Sequence, residues 1–541
     1  MAMTAPAPRA GPAVDRPAVP ARPRRPPGLL FGLAAGVAVL LAVPLVFLLV
    51  QAAESGWAAL RPLLFRQLTA QLLWNTVRLT VVVTLLCAVV GTLAAWVVER
   101  TDLPGRRLFA VLLVLPLAVP DFVESFGWVS VAPSLRGYFG AVLVMTLAVY
   151  PLVFLPVAAA LRHADPAQEE VARSLGLGRF RTFWRVTLGQ ARRAILGGSL
   201  LVALVLLAEY GAFEILGYRT FTTEIYTEYL NGFDPPAASA LSLVLVALSL
   251  CLLFGEGASR GGGRLDRTGP LAARPASRHR LGRATPAALA AVGALVALAL
   301  GVPVGAIVYW LFHGQGVAVG SSSLASAAWH TLAYSASAGV LATVLALPVA
   351  LLSVRHGGRL ARLLERSTYL VLGIPGILIA LGLVYFSQRY LFGVLYQSSP
   401  LLVIAYAVMF FPLALVAVRT SVAQAPIRLE EAARSLGTAR RSVLLRVTLP
   451  LVAPGLAAAF SLVFLEAATE LTATLVLHPT GVETLATQFW AFQTNLSYGQ
   501  AAPYAALIVL VAALPSAVLG RWFDRLPARR PAPLERSAAA A

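Results

Sequence analysis

The sequence predicts an all-α polytopic membrane protein with about 12 transmembrane helices, arranged as two parallel six-helix repeats. The first observation is composition, because 58% of the 541 residues are hydrophobic, whereas soluble domains use roughly 45–50% apolar residues. The second is a set of apolar runs, each near the length of about 20 residues that a helix needs to cross a bilayer. The third is an internal duplication of most of the chain.

Twelve apolar runs form two sets of six, and we expect each run to be one span, with ends accurate to a few residues. The first set lies near 29–52, 72–98, 108–130, 140–161, 193–216 and 236–254. The second set lies near 286–312, 330–354, 367–387, 400–420, 453–477 and 502–523.

The duplication is clearest in one charged segment. EEVARSLGLGRFRTFWRVTL at 169–188 aligns with EEAARSLGTARRSVLLRVTL at 430–449, an offset of 261 positions with 12 of 20 residues identical. Because each half has an even number of spans, the two halves are predicted to be parallel and related by an axis along the membrane normal.

This pattern divides the chain into five segments. The first segment contains eight prolines and five arginines, a composition that cannot bury a core and is expected to be disordered. The linker between the repeats is rich in Gly, Arg and Pro and is expected to be flexible. The segments are a cytoplasmic tail (1–28), the first repeat (29–254), the cytoplasmic linker (255–285), the second repeat (286–525) and a cytoplasmic tail (526–541).

The basic residues indicate orientation. The formal net charge is +19, and all 43 basic residues are arginines. If the N-terminus is cytoplasmic, 37 of them fall in the tails and on the cytoplasmic side of the spans, as the positive-inside rule requires. We therefore expect a multi-pass cell-membrane protein with both termini in the cytoplasm and with 217–235 and 478–500 facing outward. A nucleic-acid partner is not expected, because its basic patch would be contiguous.

The chain offers no catalytic or cofactor motif. Cys87 and Cys251 both lie in predicted spans, where a lone cysteine is usually a small buried hydrophobe. Neither a disulfide framework nor a cysteine-based metal site is predicted. A Walker A loop requires a lysine, which this sequence lacks, so any ATP hydrolysis is expected from a separate subunit.

The duplicated octets favour short helices. On the first helix, Val171, Ala172 and Leu175 are expected to share one small apolar face. Such a helix is too short to be stable alone and needs a partner. Gly176 and Gly437 can each end a helix in a left-handed turn or admit another backbone. The octets could be connectors lying on lipid headgroups, but their duplication favours docking to a two-fold partner.

The second octet resembles the EAA loop of ABC-importer permeases. Glu431-Ala432-Ala433, then Gly437, then Val447 to Pro450 follow the pattern of EAA, three residues, G, nine residues and I-x-L-P. The first copy departs from it, with Val171 in place of the first Ala and Gly189 in place of Pro. The resemblance implies that each octet is a coupling helix for a cytoplasmic ATPase homodimer. The implied coupling residues are Glu170, Ala172, Gly176, Glu431, Ala432, Ala433 and Gly437.

The resemblance extends over nearly the whole chain. The segments at 100–123, 208–234 and 464–490 are similar to fused permeases of iron(III) importers. It implies the type I ABC importer permease fold, a translocation path for ferric iron and an extracytoplasmic binding protein. Importers of thiamine, sulfate, polyamine or phosphonate share this loop and remain alternatives.

A proton-driven major facilitator is the alternative of a different class, because it also has two parallel six-span repeats. ERTDLPGRR at 99–107 is faintly similar to its basic loop. That loop requires D-R-x-G-R, whereas Leu103 follows Asp102 here. Two EAA octets also have no role in that fold.

Three acidic residues lie inside predicted spans. Glu209 and Glu470 align at the 261-residue offset, and Glu466 lies one helical turn before Glu470. Carboxylates at membrane depth are costly and usually functional or paired. They are candidates for lining the translocation path, and the alternative is a structural role in hydrogen bonds inside the bundle. We assign no metal ligands, because tight binding would prevent release of the transported ion.

Overall fold

A computed structural model describes residues 27–162, 164–230, 232, 234–259, 278–314, 320–356, 358–391 and 393–525. Throughout this part of the chain the secondary structure is helical, with one isolated pair of bridged residues. Most of the terminal tails predicted at 1–28 and 526–541 lies outside the described residues.

The helices follow one another in the order of the two repeats. Those of the first half are Gly28–Leu64, Gln67–Arg100, Arg106–Leu112, Leu115–Ala118, Asp121–Val131, Gly137–Val149, Pro151–Arg162, Pro166–Ser174, Arg179–Thr182, Phe183–Thr187, Leu188–Ala208, Gly211–Ile215, Phe221–Leu230 and Pro235–Ser259. Those of the second half are Gly282–Ala284, Thr285–Val296, Ala297–Gly301, Val302–His313, Ser321–Arg355, Arg359–Tyr369, Leu370–Gly373, Gly376–Tyr390, Ser399–Gln424, Ile427–Ser435, Arg440–Val443, Leu444–Thr448, Leu449–Ala468, Thr472–Leu477, Leu485–Thr494 and Tyr498–Arg525.

Within the described residues, nine helices are long and apolar enough to cross a membrane, or ten if one bent pair is counted as a span. This is fewer than the twelve that were predicted. The bent pair is the predicted third span, Arg106–Ala118 with Asp121–Val131, which turns by 95°. The predicted ninth span is divided among the end of Arg359–Tyr369, the turn Leu370–Gly373 and the short helix Gly376–Tyr390. The described apolar part of the twelfth is Tyr498–Ala513.

Proline explains why the third and ninth spans are broken. Val119 precedes Pro120 and is extended, with ψ 117°, as the ring of a following proline favours. Pro375 stands at the corresponding position of the second half, with ψ 144°, and a new helix begins after each proline. The segments predicted as spans at 108–130 and 367–387 are therefore each broken at a proline.

The first span of each half packs on the other half. Gly28–Leu64 lies along Gly376–Tyr390, and Val302–His313 lies along Asp121–Val131. Both large hydrophobic cores accordingly combine residues of the two halves. The sequence repeats therefore differ from the packed units, because the first span of each half packs on the other half.

Two glycines permit this exchange, because each one brings a helix onto a proline of the other half. A Cβ atom on Gly382 would lie 2.2 Å from the carbonyl oxygen of Pro44. A Cβ atom on Gly127 would lie 2.6 Å from Cα of Pro303. The two glycines are 255 positions apart, close to the repeat offset. Small residues allow such close helix contacts in membranes.

The predicted flexible linker is ordered at both described ends. The sixth span continues as a helix to Ser259. After residues 260–277, which lie outside the described part, His279 donates its backbone N–H to Arg100 O at 2.8 Å and accepts from Asp102 N at 3.2 Å. The end of the linker therefore packs on the loop that follows the second span.

The segments predicted as outward loops each contain a helix with a buried inner face. Phe221–Leu230 and Leu485–Thr494 begin at fully buried residues. The backbone N–H of Phe221 donates to Thr76 Oγ1 at 3.3 Å, and that of Leu485 donates to Thr331 Oγ1 at 2.9 Å. Each helix is thus attached to the second span of its own half.

The cysteines differ from each other in exposure. Cys87 is buried, as expected for a small apolar residue, whereas Cys251 is exposed on the sixth span. The expectation that both would be buried is wrong for Cys251.

We predict that Gly382→Ala destabilises the protein by about 1–3 kcal/mol, because its methyl group would overlap the Pro44 backbone. The matched control is Gly305→Ala, since a Cβ atom there meets no atom within 4 Å. Melting temperatures of the two purified variants in detergent test this prediction. Equal melting temperatures for both variants would contradict the inter-half contact.

Candidate functional site

The two octets form matching short helices at one end of the bundle, which we call the first EAA helix (Pro166–Ser174) and the second EAA helix (Ile427–Ser435). Each helix ends before a glycine in the left-handed region, Gly176 with φ 83° and Gly437 with φ 81°. No atom lies within 4 Å of a Cβ built on either glycine. Backbone conformation therefore requires these glycines, and neither one is approached closely within this chain.

Some apolar residues of the octets are buried in the bundle, and others are exposed. Ala172 is buried, whereas Val171 is 57% exposed and Leu175 is 77% exposed. Leu436 of the second helix is 85% exposed. The prediction that Val171, Ala172 and Leu175 share one face is therefore wrong, because Ala172 points into the bundle. The exposed leucines leave an apolar surface on this end of the molecule.

Some of the predicted coupling residues lie on that surface, and others do not. Ala172 is buried and Ala433 is half-buried, so both contact the permease itself. The exposed members of the predicted set are Glu170, Gly176, Glu431, Ala432 and Gly437.

Sequence reasoning missed the glutamate that precedes each motif. Glu169 is buried and accepts a hydrogen bond from Arg100 Nη2. Glu430 is buried, and its Oε1 lies 3.0 Å from Arg355 Nη2. Each arginine is the last residue of the second span in its half. A buried ion pair thus joins each EAA helix to a membrane span.

The fifth span of each half is broken at its predicted glutamate. One long helix ends at Ala208 before Glu209, and the other ends at Ala468 before Glu470. Short helices follow, Gly211–Ile215 in the first half and Thr472–Leu477 in the second. Spans are present at both predicted places, Phe183–Ala208 and Arg441–Ala468, but each ends before the predicted residues 216 and 477.

The two glutamates accept hydrogen bonds from the start of the short helices. Glu209 Oε1 accepts from the backbone N–H of Ala212 at 2.7 Å. Glu470 accepts from Ala473 N at 2.9 Å and from Thr474 N at 3.0 Å. The first N–H groups of a helix have no partner inside it, and lipid offers none. The carboxylates therefore stabilise the break in each span.

A cavity of about 370 Å³ lies between the halves at these breaks. Residues from the third and fifth spans of both halves line it. Its four acidic residues are Asp121, Glu209, Glu466 and Glu470. The structure thus brings together all three of the predicted path glutamates and adds Asp121.

Each half contributes one carboxylate that has an equivalent in the other half and one that does not. Glu209 and Glu470 are equivalent by the repeat, whereas Asp121 corresponds to Gly376, and Glu466 corresponds to Val205. Asp121 and Glu466 are within electrostatic range of each other. Asp121 could have been identified from the sequence, because an acidic residue inside an apolar run is a functional candidate by default.

The cavity is acidic without being a preformed metal centre. No arginine or histidine occurs among its described lining residues. Within the described residues, no group of three His, Cys, Asp or Glu side chains is arranged to hold a metal ion. Ionised carboxylates in such a cavity would attract cations, and the cavity lacks the convergent ligand set that would retain one.

Aromatic side chains adjoin the cavity on the side of the breaks that faces away from the EAA helices. Phe122 lines the cavity, and its ring centroid lies 5.4 Å from that of Phe489. Tyr210 contacts Trp490 with centroids 5.5 Å apart. Each contact joins the first half to the helix Leu485–Thr494 of the second, so large rings close the bundle beyond the carboxylates.

The sequence matches a family of transport proteins twice. Residues 87–256 and 342–530 each match the family described as "binding-protein-dependent transport system inner membrane component". The two matches together cover more than half of the chain and correspond to the two repeats.

Several proteins are similar to the chain. It is 36% identical over 503 residues to the Fe(3+)-transport system permease protein FbpB 2 of Haemophilus influenzae, covering 92% of this chain and 99% of that relative. It is 30% identical to the sulfate transport system permease protein CysT of Escherichia coli over 40% of this chain and 86% of that protein. It is also 32% identical to a probable molybdenum ABC transporter permease protein of Haloferax volcanii, over 33% of this chain and 72% of the relative.

These matches exclude the major facilitator alternative, because both repeats belong to one family of another class. The nearly full-length similarity to an Fe(3+) permease shows that the two copies occur fused in a single chain elsewhere. The chain belongs to the binding-protein-dependent transport system inner membrane components and is a fused, two-copy permease of an ABC importer.

Proposed function

We propose that the cavity between the halves is the translocation path for ferric iron, delivered by an extracytoplasmic binding protein. The observation that carries this proposal is the cluster of four carboxylates, with no basic residue among the described lining. A membrane subunit of this family works with a binding protein and an ATPase. We further propose that the ATPase is a homodimer that docks on the two EAA helices.

Electrostatics supports a cationic substrate. Two like charges about 4 Å apart repel each other by about 4 kcal/mol at an effective dielectric constant of about 20. Sulfate and phosphonate would meet this repulsion from the carboxylates, whereas a cation would be attracted. Thiamine and polyamines are cations and remain alternatives. The similarity to an Fe(3+)-transport permease over 92% of the chain favours iron.

The likeness of the two EAA helices supports a homodimeric ATPase. Both helices are nine residues long and end in the same left-handed turn. Both leave a leucine exposed, Leu175 in the first and Leu436 in the second. Two equivalent protrusions suit a partner with two equivalent clefts. The arginine distribution supports a cytoplasmic location for this end of the bundle and for both termini.

We predict that Gly437→Glu abolishes coupling, because it places bulk and charge at the ATPase contact and strains a left-handed residue. Gly176→Glu should also impair coupling, with a smaller effect because the first motif is degenerate. The matched control is Gly437→Asn, since asparagine tolerates this backbone conformation. Binding-protein-stimulated ATPase activity of the assembled complex is the measurement. Wild-type stimulation in Gly437→Glu would refute docking at this helix.

We predict that Glu466→Gln lowers ferric uptake with little change in melting temperature. Glu466 is exposed to the cavity, and none of the described residues forms a hydrogen bond with its side chain. Its substitution therefore removes charge alone. Radioactive iron uptake into proteoliposomes tests this effect, and unchanged uptake would contradict the path role.

We expect Glu470 to combine the path role with a structural role. Glu470→Gln retains an acceptor for the N–H groups but removes the charge, so uptake should fall while the fold is retained. Glu470→Ala leaves those groups unpaired and should cost about 0.5–2 kcal/mol of stability. Uptake and detergent melting separate the two effects, and the same comparison applies to Glu209. Normal uptake in Glu470→Gln together with a lower melting temperature in Glu470→Ala would leave only the structural role.

Orientation can be tested by labelling single cysteines in a background free of Cys87 and Cys251. We predict that Asn495→Cys reacts with an impermeant thiol reagent in intact cells, whereas Arg107→Cys reacts only after permeabilisation. Both residues are exposed and lie at opposite ends of the bundle. The reverse pattern of labelling would invert the proposed topology.

A further inference from the structure

We propose that the buried ion pairs Arg100–Glu169 and Arg355–Glu430 are the joints that transmit movement of the EAA helices to the second spans. The four residues are thus positioning residues for transport. This inference rests on the proposed docking of the ATPase to those helices. It assigns the transmission to the glutamates that precede the EAA motifs, rather than to Glu170 and Glu431.

Burial makes these pairs suitable joints. The side chains of Arg100 and Glu169 are 1% and 3% exposed, and those of Arg355 and Glu430 are 11% and 7% exposed. An exposed ion pair exchanges easily with water and contributes little. Removing one member of a buried pair is unfavourable. Each glutamate has a second partner on its own EAA helix, Arg173 at 3.9 Å from Glu169 and Arg434 at 3.2 Å from Glu430. The connection from helix to span is therefore made by Arg100 and Arg355. The EAA helix and the span end are therefore expected to move together.

Additional hydrogen bonds connect each pair to neighbouring elements. Glu169 also accepts from Thr187 Oγ1 at 2.8 Å, just before the fifth span that leads to the cavity. In the second half, Arg355 Nη2 donates to Ala425 O at 3.0 Å, at the end of the fourth span. The ion pairs thus lie where three elements of each half meet, in positions that are 255 and 261 residues apart.

The second spans connect these joints with the other end of the molecule. Gln67–Arg100 is one helix, and about 36 Å of it separates Arg100 from Thr76 at a rise of 1.5 Å per residue. Thr76 is the residue that accepts from Phe221, the start of the buried helix beyond the cavity. Thr331 does the same for Leu485 in the second half. Rigid helices of this kind can carry coupling between distant sites.

A cavity beside the first joint provides room for such movement. It has a volume of about 460 Å³ and is lined by Glu169, Arg173 and the aromatic rings of Trp96 and Phe183, with His279 from the end of the linker. The first EAA helix therefore has free volume directly beside the ion pair. A shift of this helix can be accommodated locally while the pair stays closed.

The test exchanges the charges of the second joint. We expect Arg355→Glu and Glu430→Arg each to lower the number of ions transported per ATP hydrolysed by about two- to thirtyfold, the range of coupling effects of single residues. The double variant restores opposite charges and should recover much of this ratio. Uptake, ATP hydrolysis, co-purification of the ATPase and melting temperature are measured on the same assembled complexes.

The matched control is an exposed ion pair far from the EAA helices. Arg389 and Glu54 lie 3.7 Å apart on the surface, so exchanging their charges should leave the transport ratio unchanged. If the single variants of the buried pair do not assemble, Arg355→Lys replaces them, because it keeps the charge but shortens the reach. It should lower the transport ratio with little loss of melting temperature.

Three outcomes would overturn the inference. Folded single variants could keep the wild-type transport ratio, the double variant could assemble without recovering it, or Arg355→Lys could be fully coupled. Gly437→Glu, measured in parallel, separates the two proposals. If Gly437→Glu uncouples transport while the ion-pair variants do not, only the joint is rejected. If Gly437→Glu is also fully coupled, docking at the EAA helices is rejected.

Discussion

The structure depends on the requirement that backbone N–H groups at membrane depth have hydrogen-bond partners. The long helices of the fifth spans end at Ala208 and Ala468, and the first N–H groups of the short helices that follow need partners. Glu209 and Glu470 accept hydrogen bonds from these groups at 2.7–3.0 Å. The same interaction fixes both carboxylates at the wall of the cavity between the halves. The carboxylates that accept hydrogen bonds at these breaks thus also make the wall of the cavity acidic.

Duplication explains the arrangement of the helices. The acidic residues that occur in only one half explain the chemistry of the proposed path. The exchanged first spans, the EAA helices and the ion pairs occur in both halves in equivalent positions. The path does not follow this symmetry, because Asp121 belongs only to the first half and Glu466 only to the second. Each addition comes from a different span. A cation between the halves would therefore meet two matched carboxylates and two unmatched ones, so the proposed path is acidic on both sides without being symmetric.

Local features of the fold could be predicted from the sequence, and long-range ones could not. The repeat, the helical octets and the left-handed turn at Gly437 follow from residue type and spacing. The break before Pro120 could have been predicted, because the residue before a proline favours an extended conformation. The surrounding apolar run instead suggested one unbroken span. The burial of Glu169 instead of Glu170 depends on the position of Arg100 in space, which the sequence does not state. The contact between Gly382 and the first span is equally non-local, because it joins segments more than 300 residues apart.

The central claim is that the acidic cavity conducts a cation. The most direct measurement compares accumulation of radioactive ferric iron and radioactive sulfate in proteoliposomes that contain the permease with its ATPase and the matching binding protein for each substrate. The account predicts ATP-dependent accumulation of iron and none of sulfate. Accumulation of sulfate without iron would contradict it, since four carboxylates would then line the path of an anion.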